Sequence, residues 1–249
     1  MILSELIQRS PIRIFEQSIH GGLKAGEIGI IASLNGVGKT SVLVQLALDK
    51  LLQGKKVIHV SFTQHAQYVI AWYEDIFNEF ISKKNLENAG EVKNEVVKNR
   101  VLMNFNQDGM SGDQIIRSLR AMIVEGGFAA EAVIVDGFDF SRADRERITS
   151  VKAFAGELGL SVWYSCTLRE KEPQCDGQNI PLAIKDFADL IDVVIMLEPR
   201  PGSAAERASA MRDAPAGHIE LSVSKDHGSM DSKALAMRLD PKTLLILES

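Results

Sequence analysis

Residues 27–41 read EIGIIASLNGVGKTS, and they constrain the fold more than any other part of the chain. EIGIIA is a short apolar run of the kind that forms a buried strand. The stretch TSVLVQLALDKLLQG follows, apolar on most faces and stopped by Gly54, and reads as a buried helix. Between the two lies a tight, glycine-bearing turn. Gly38, Lys39 and Thr40 fit the end of the phosphate-cradling pattern G-x-x-x-x-G-K-[ST], with Ser33 in place of the first glycine. In such a turn the backbone N–H groups wrap phosphates while a helix N-terminus points at them. Asn35, Gly36, Val37, Gly38, Lys39, Thr40 and Ser41 are therefore the candidate nucleotide-binding residues. The pattern assigns Lys39 to the β/γ-phosphates and the Thr40 hydroxyl to Mg²⁺. Serine is small enough for position 33, provided it accepts the φ/ψ of the turn.

Downstream, apolar runs alternate with helix-like segments. KKVIHVSF, RVLMNF, AAEAVIVD, LSVWYSC and DVVIMLE read as strands. Residues 64–99 read as two helices, the second strongly charged and solvated. Residues 111–125 read as a helix with Ser111 as N-cap, residues 144–159 as a helix closed by Gly159, and IKDFADLI has helical spacing. HIELSVSK, ALAMRLD and TLLILES are further strands joined by short turns. Strands separated by helices imply an α/β fold with a mainly parallel sheet, and the last strands an antiparallel extension. Residues 199–217, rich in Ala, Arg, Pro and Gly, read as a long mobile loop.

Two chemical features accompany the turn. VIVD ends in Asp136, where a strand-terminal carboxylate helps hold Mg²⁺ opposite a phosphate loop. Ser165, Cys166 and Thr167 end the next strand, and Thr167 reads as a capping hydroxyl. The five histidines have no metal-ligand spacing along the chain, so no zinc site is expected. Cys166 and Cys175 are too few for a disulfide framework and fit a reducing compartment.

The segment GGLKAGEIGIIASLNGVGKTSVLVQLALDKLLQGKKVIHVSF resembles the core of the RecA/KaiC-like ATPases, which include the DnaB-type helicases. Gly21, Gly22, Leu23, Gly26 and Glu27 match the family's GGL-x-x-G-E turn, and the likeness runs on through VIVDGFDF and the strand-rich C-terminus. The resemblance implies a RecA-like P-loop NTPase fold over 1–249 as a single ATP-binding domain, with 1–20 as a lead-in. It also implies ATP and Mg²⁺ as cofactors and a homo-oligomeric ring or filament with nucleotide at the interfaces. Two departures matter. The family's water-activating glutamate is replaced near Thr63 and Gln64; an amide can orient water but cannot take its proton. The family's late K-x-R, which reaches the neighbour's γ-phosphate, reads Lys225-Asp226-His227. Gln64 and Lys225 are thus the candidate catalytic residues. Loss of a general base costs on the order of 10²–10⁴ in rate. The expectation is ATP binding with weak or absent hydrolysis, in a nucleotide-dependent assembly or regulatory protein. The alternative is an active ATPase accessory to DNA recombination or replication that binds single-stranded DNA.

Composition bears on partners. The net charge of −5 excludes a global basic field for nucleic acid. The loops FSRADRER and LREKEPQCDGQN carry Arg142, Arg145, Arg147, Arg169 and Lys171 interleaved with acids, so DNA binding is not favoured. The N-terminus lacks a signal-peptide core, and no apolar run reaches the roughly 18 residues of a membrane span, so a cytoplasmic protein is expected.

Overall fold

The computed structural model describes residue 7 and residues 10–84, 89–106, 112–169, 174–201, 217–230 and 233–248. Its frame is one nine-stranded sheet in the order β3-β2-β4-β5-β1-β6-β7-β8-β9. The strands are β1 (Ile28–Ser33), β2 (Lys56–Ser61), β3 (Arg100–Asn104), β4 (Ala130–Asp136), β5 (Ser161–Thr167), β6 (Val193–Pro201), β7 (Gly217–Asp226), β8 (Lys233–Leu239) and β9 (Ile246–Glu248). From β3 to β6 all pairings are parallel, and from β6 to β9 they are antiparallel. The fold is therefore α/β, a mostly parallel sheet flanked by helices with C-terminal antiparallel strands. Among the described residues, no helix is long and apolar enough to cross a membrane.

The helices are α1 (Pro11–Ser18), α2 (Lys39–Leu52), α3 (Ala66–Lys84), α4 (Ala89–Lys98), α5 (Gly112–Arg120) and α6 (Arg145–Leu158). Every residue of β1 is buried, and its alternate side chains feed opposite cores. Ile31 packs with α1 to α4 on one face. Ile28, Ile30 and Ala32 pack with α5, α6 and the 3-10 segment Leu182–Leu190 on the other. Helix α2 is buried nearly all round, including Gln45 and Asp49. The Asp49 carboxylate pairs with Arg13 of α1, and Glu16 of α1 pairs with Lys50 at 3.0 Å.

Several elements depart from the sequence reading. Residues Pro11–Ser18 of the lead-in form a helix, capped by the Ser10 hydroxyl accepting from the Ile12 N–H, with Pro11 in the first turn. The helix expected over 111–125 is α-helical to Arg120 and then winds as a π-turn, Ala121–Glu125; Ser111 lies outside the described residues. IKDFADLI is a 3-10 segment broken at Phe187 (φ −135°, ψ 23°) rather than an α-helix. The last strand is shorter than TLLILES, because Leu244 is left-handed (φ 56°) and its N–H donates to Asp240 O across a turn. Of the 199–217 loop, the two ends continue β6 and β7 as paired strands, Pro201 opposite Gly217. Residues 202–216 lie outside the described residues.

Candidate functional site

A cavity of about 860 Å³ opens over the C-terminal ends of β1, β2, β4 and β5. In open α/β sheets, ligands bind at the carboxyl ends of strands, where connections leave in opposite directions. That condition holds here, since β1 leads to β2 on one side and β5 leads over β1 to β6 on the other. The volume lies within the range of ligand pockets.

The loop after β1 forms one wall through Asn35, Gly36, Gly38, Lys39 and Thr40. Gly38 caps α2 with φ +113°, a conformation that penalises any side chain. A Cβ there would also meet Leu239 Cδ2 of β8 at 2.5 Å. Gly38→Ala is therefore expected to lower stability by about 2–4 kcal/mol, from backbone strain plus overpacking. Urea denaturation of the two proteins measures it, and equal midpoints would refute the strain argument. Ser33, in contrast, is not among the positive-φ residues. The position needs no glycine, so serine is accommodated without strain.

Lys39 is 8 % exposed and folds back over the strand end. Its ammonium donates to Leu34 O at 2.8 Å, Ser33 O at 3.2 Å and Ser33 Oγ at 3.3 Å. Burial lowers its pKa, while Asp136 acts in the opposite direction. Asp136, 4 % exposed, accepts from Thr40 Oγ1 at 2.8 Å. Thus the hydroxyl and carboxylate that the sequence assigned to a metal meet directly, across 96 residues of chain. Both are oxygen donors of the type hard divalent cations take.

Gln64 and Thr63 line the opposite lip of the cavity. The Gln64 backbone is pinned by Ser61, whose hydroxyl donates to Gln64 O at 2.9 Å and accepts from its N–H at 3.1 Å. The side-chain Oε1 is buried without a hydrogen-bond partner. Thr63 fits only because residue 137 is glycine: a Cβ there would meet Thr63 Oγ1 at 2.4 Å. Ser165 accepts from the Gly137 N–H at 2.8 Å, and Thr167 lines the cavity floor. Cys166 is fully buried, and burial pushes its thiol up to about 12, which makes it a packing residue.

Three candidate residues stand apart from this cavity. Val37 packs into the core. Ser41 is fully buried, and its hydroxyl donates to Leu244 O. Lys225 was expected to present a cation to a neighbouring subunit. It is instead 6 % exposed and donates to Ala188 O at 2.7 Å. Its register, opposite Val194 of β6, puts it at the start of the parallel strands, away from the loop. Burial also lowers its pKa.

The C-terminal strands contribute what motif reading missed. Gln45 of α2 donates to Leu244 O at 2.9 Å and accepts from the Ile246 N–H at 2.8 Å. With Leu239 against Gly38, this clamps the start of α2 and hence the loop. The arginines weighed for DNA are partly engaged: Arg145 forms a two-pronged pair with Asp189, and Arg142 lies 3.6 Å from Asp139. Lys171 is outside the described residues. Compared with models of known protein families and with curated proteins, the chain matches none.

Proposed function

We propose that the chain is an ATP-binding protein of the RecA/KaiC-like P-loop type, with weak or absent hydrolysis, that acts as a nucleotide-dependent assembly or regulatory protein. One observation carries the reading. A buried lysine ammonium that donates to three neutral oxygens, a left-handed glycine at a helix start and a Thr40–Asp136 pair line one cavity. The lysine supplies positive charge for an anion, and the start of α2 adds the favourable end of a helix dipole. Thr40 and Asp136 would hold Mg²⁺, which would neutralise phosphate charge. Adenine over guanine rests on the resemblance alone, as do the ring or filament and the cytoplasmic setting.

Weak hydrolysis rests on Gln64. Gln64 is among the residues that line the cavity, and its amide cannot take a proton from water as a carboxylate can. Gln64→Glu is expected to raise steady-state Mg²⁺-dependent ATP hydrolysis by about tenfold or more. ATP binding by calorimetry should stay comparable. A rate that stays flat in the variant would remove Gln64 from the mechanism. A second reading, an active ATPase, is favoured by Asp139, a further carboxylate on the cavity wall. It accepts from Ser141 N and Oγ at 3.0 and 2.7 Å. Robust turnover by the parent that falls in Asp139→Asn would put this reading first. Stimulation by single-stranded DNA that weakens with salt would add the DNA-accessory role.

A further inference from the structure

At the opposite end of the sheet from the cavity, two histidines remote in sequence converge on one carboxylate. His20 lies in the turn after α1, Asp226 ends β7, and His227 begins the turn that follows. Asp226 Oδ2 is 2.7 Å from His20 Nδ1, and Asp226 Oδ1 is 2.7 Å from His227 Nδ1. The three ligand atoms all lie within 4.8 Å of one another. The two imidazole rings stand edge to face, with centroids 6.2 Å apart.

The surroundings are built rather than incidental. His20 and His227 are both left-handed, with φ of 51° and 49°, a conformation uncommon outside glycine. The Asp226 side chain is 6 % exposed and that of His227 16 %. The other nitrogen of His227, Nε2, lies 3.0 Å from Glu27 Oε2. The same Glu27 oxygen accepts from the Lys24 N–H at 2.6 Å. The His227 main-chain N–H donates to Asp192 O at 2.8 Å, which fixes the turn. A carboxylate on the far nitrogen of an imidazole is the outer arrangement that orients metal-bound histidines. Both nitrogens of His227 thus face carboxylates, which only accept, so an ion bound at Nδ1 takes the place of the proton that otherwise bridges it to Asp226.

We propose that His20 Nδ1, Asp226 and His227 Nδ1 form a three-ligand site for a borderline divalent transition metal of the Zn²⁺ class. Two imidazoles and one carboxylate suit that class. Ligand atoms around tetrahedral Zn²⁺ lie about 3.3 Å apart, given bonds of about 2.0–2.1 Å. The 2.7 Å contacts must therefore widen slightly. The His20 side chain is 69 % exposed and free to swing outward. Its exposed side leaves the fourth position open to water or another ligand. The ion would tie the turn after α1 to the end of β7, contacts 206 residues apart. The site stands independently of the nucleotide reading, since none of its residues lines the cavity.

The test uses the full chain, stripped of metal by a chelator, with Zn²⁺ followed by titration calorimetry and Co²⁺ by its visible absorption. One equivalent of Zn²⁺ is expected, with Co²⁺ giving the intense bands of a tetrahedral site. His20→Asn and His227→Asn keep a residue that tolerates the left-handed backbone. Each is expected to weaken Zn²⁺ by about tenfold or more, with Glu27→Gln costing about tenfold through ring orientation. Asp136→Asn must leave the affinity unchanged. Circular dichroism checks that each variant folds. No saturable uptake by the parent overturns the proposal. So does uptake that survives both histidine variants, or uptake lost in Asp136→Asn.

Discussion

Lys39→Ala is expected to weaken Mg²⁺-ATP binding by at least about tenfold. The figure follows from losing one or two charge-assisted hydrogen bonds at about 1.5–3 kcal/mol each. In the structure the ammonium is held by Leu34 O and by Ser33 O and Oγ, with no carboxylate in direct contact among the described residues. Neutral oxygens stabilise a buried cation less than an anion would, and burial already lowers its pKa. Phosphate would supply the missing negative charge. The same reasoning fixes the sign of a second readout. Removing the lysine deletes a desolvated charge and breaks no direct ion pair, but it also leaves three oxygens without their donor and removes the attraction to Asp136, so the unliganded variant should unfold close to the temperature of the parent. The rise in melting temperature that ATP gives the parent should disappear in the variant. Lys39→Arg should not rescue binding, because a planar guanidinium cannot reproduce three contacts converging on one nitrogen. Unchanged affinity in Lys39→Ala would sink the nucleotide reading itself. Lost affinity together with a lower melting temperature would show the lysine to be structural.

What the sequence disclosed and what it hid follow the range of each interaction. The strands β1, β2, β4 and β5 could be read because a parallel strand buried on both faces is a continuous apolar run. The loop could be read because its chemistry is contiguous. The Thr40–Asp136 pair could be anticipated only because strand ends of an α/β sheet share one rim. Contacts set by the antiparallel extension left no local trace. Nothing near Ser41 announces that Leu244 O will take its hydroxyl, and nothing near Lys225 announces Ala188 O. Lys225 reads as a surface cation until the register puts it opposite Val194. The histidines gave no metal spacing because His20 and His227 meet only when β7 returns beside β6. Helix α1 did carry a local signal, Ser10-Pro11 followed by apolar residues at 12, 15 and 19.

Acid should destabilise the protein through His59. The residue sits in the middle of β2 with no exposed surface, its Nδ1 3.1 Å from the Tyr73 hydroxyl and its Nε2 buried without a partner. Burial, with Arg100 nearby and Asp136 opposing, pulls the imidazole down to about 4. An unfolded histidine titrates near 6.5. Between about pH 4 and 6.5 the unfolded chain therefore binds one more proton than the folded one. Stability from this group is complete above 6.5, falls as pH drops through that window, and falls no further below about 4. The integrated loss is on the order of 3 kcal/mol, at a slope approaching about 1.4 kcal/mol per pH unit. Asp49, whose carboxyl burial raises, titrates in the opposite sense, so the parent curve alone does not isolate the histidine. The difference between parent and His59→Gln does. Glutamine keeps a polar partner for Tyr73 and cannot charge. His59→Gln should be less stable than the parent at pH 7, because an isosteric fit is lost in a full core. The gap should narrow steadily toward pH 4.5 in urea denaturation. Parallel stability curves would mean that His59 is reached by water and protonated in the folded state. In that case the core around Tyr73 and Arg100 opens more readily than its packing implies.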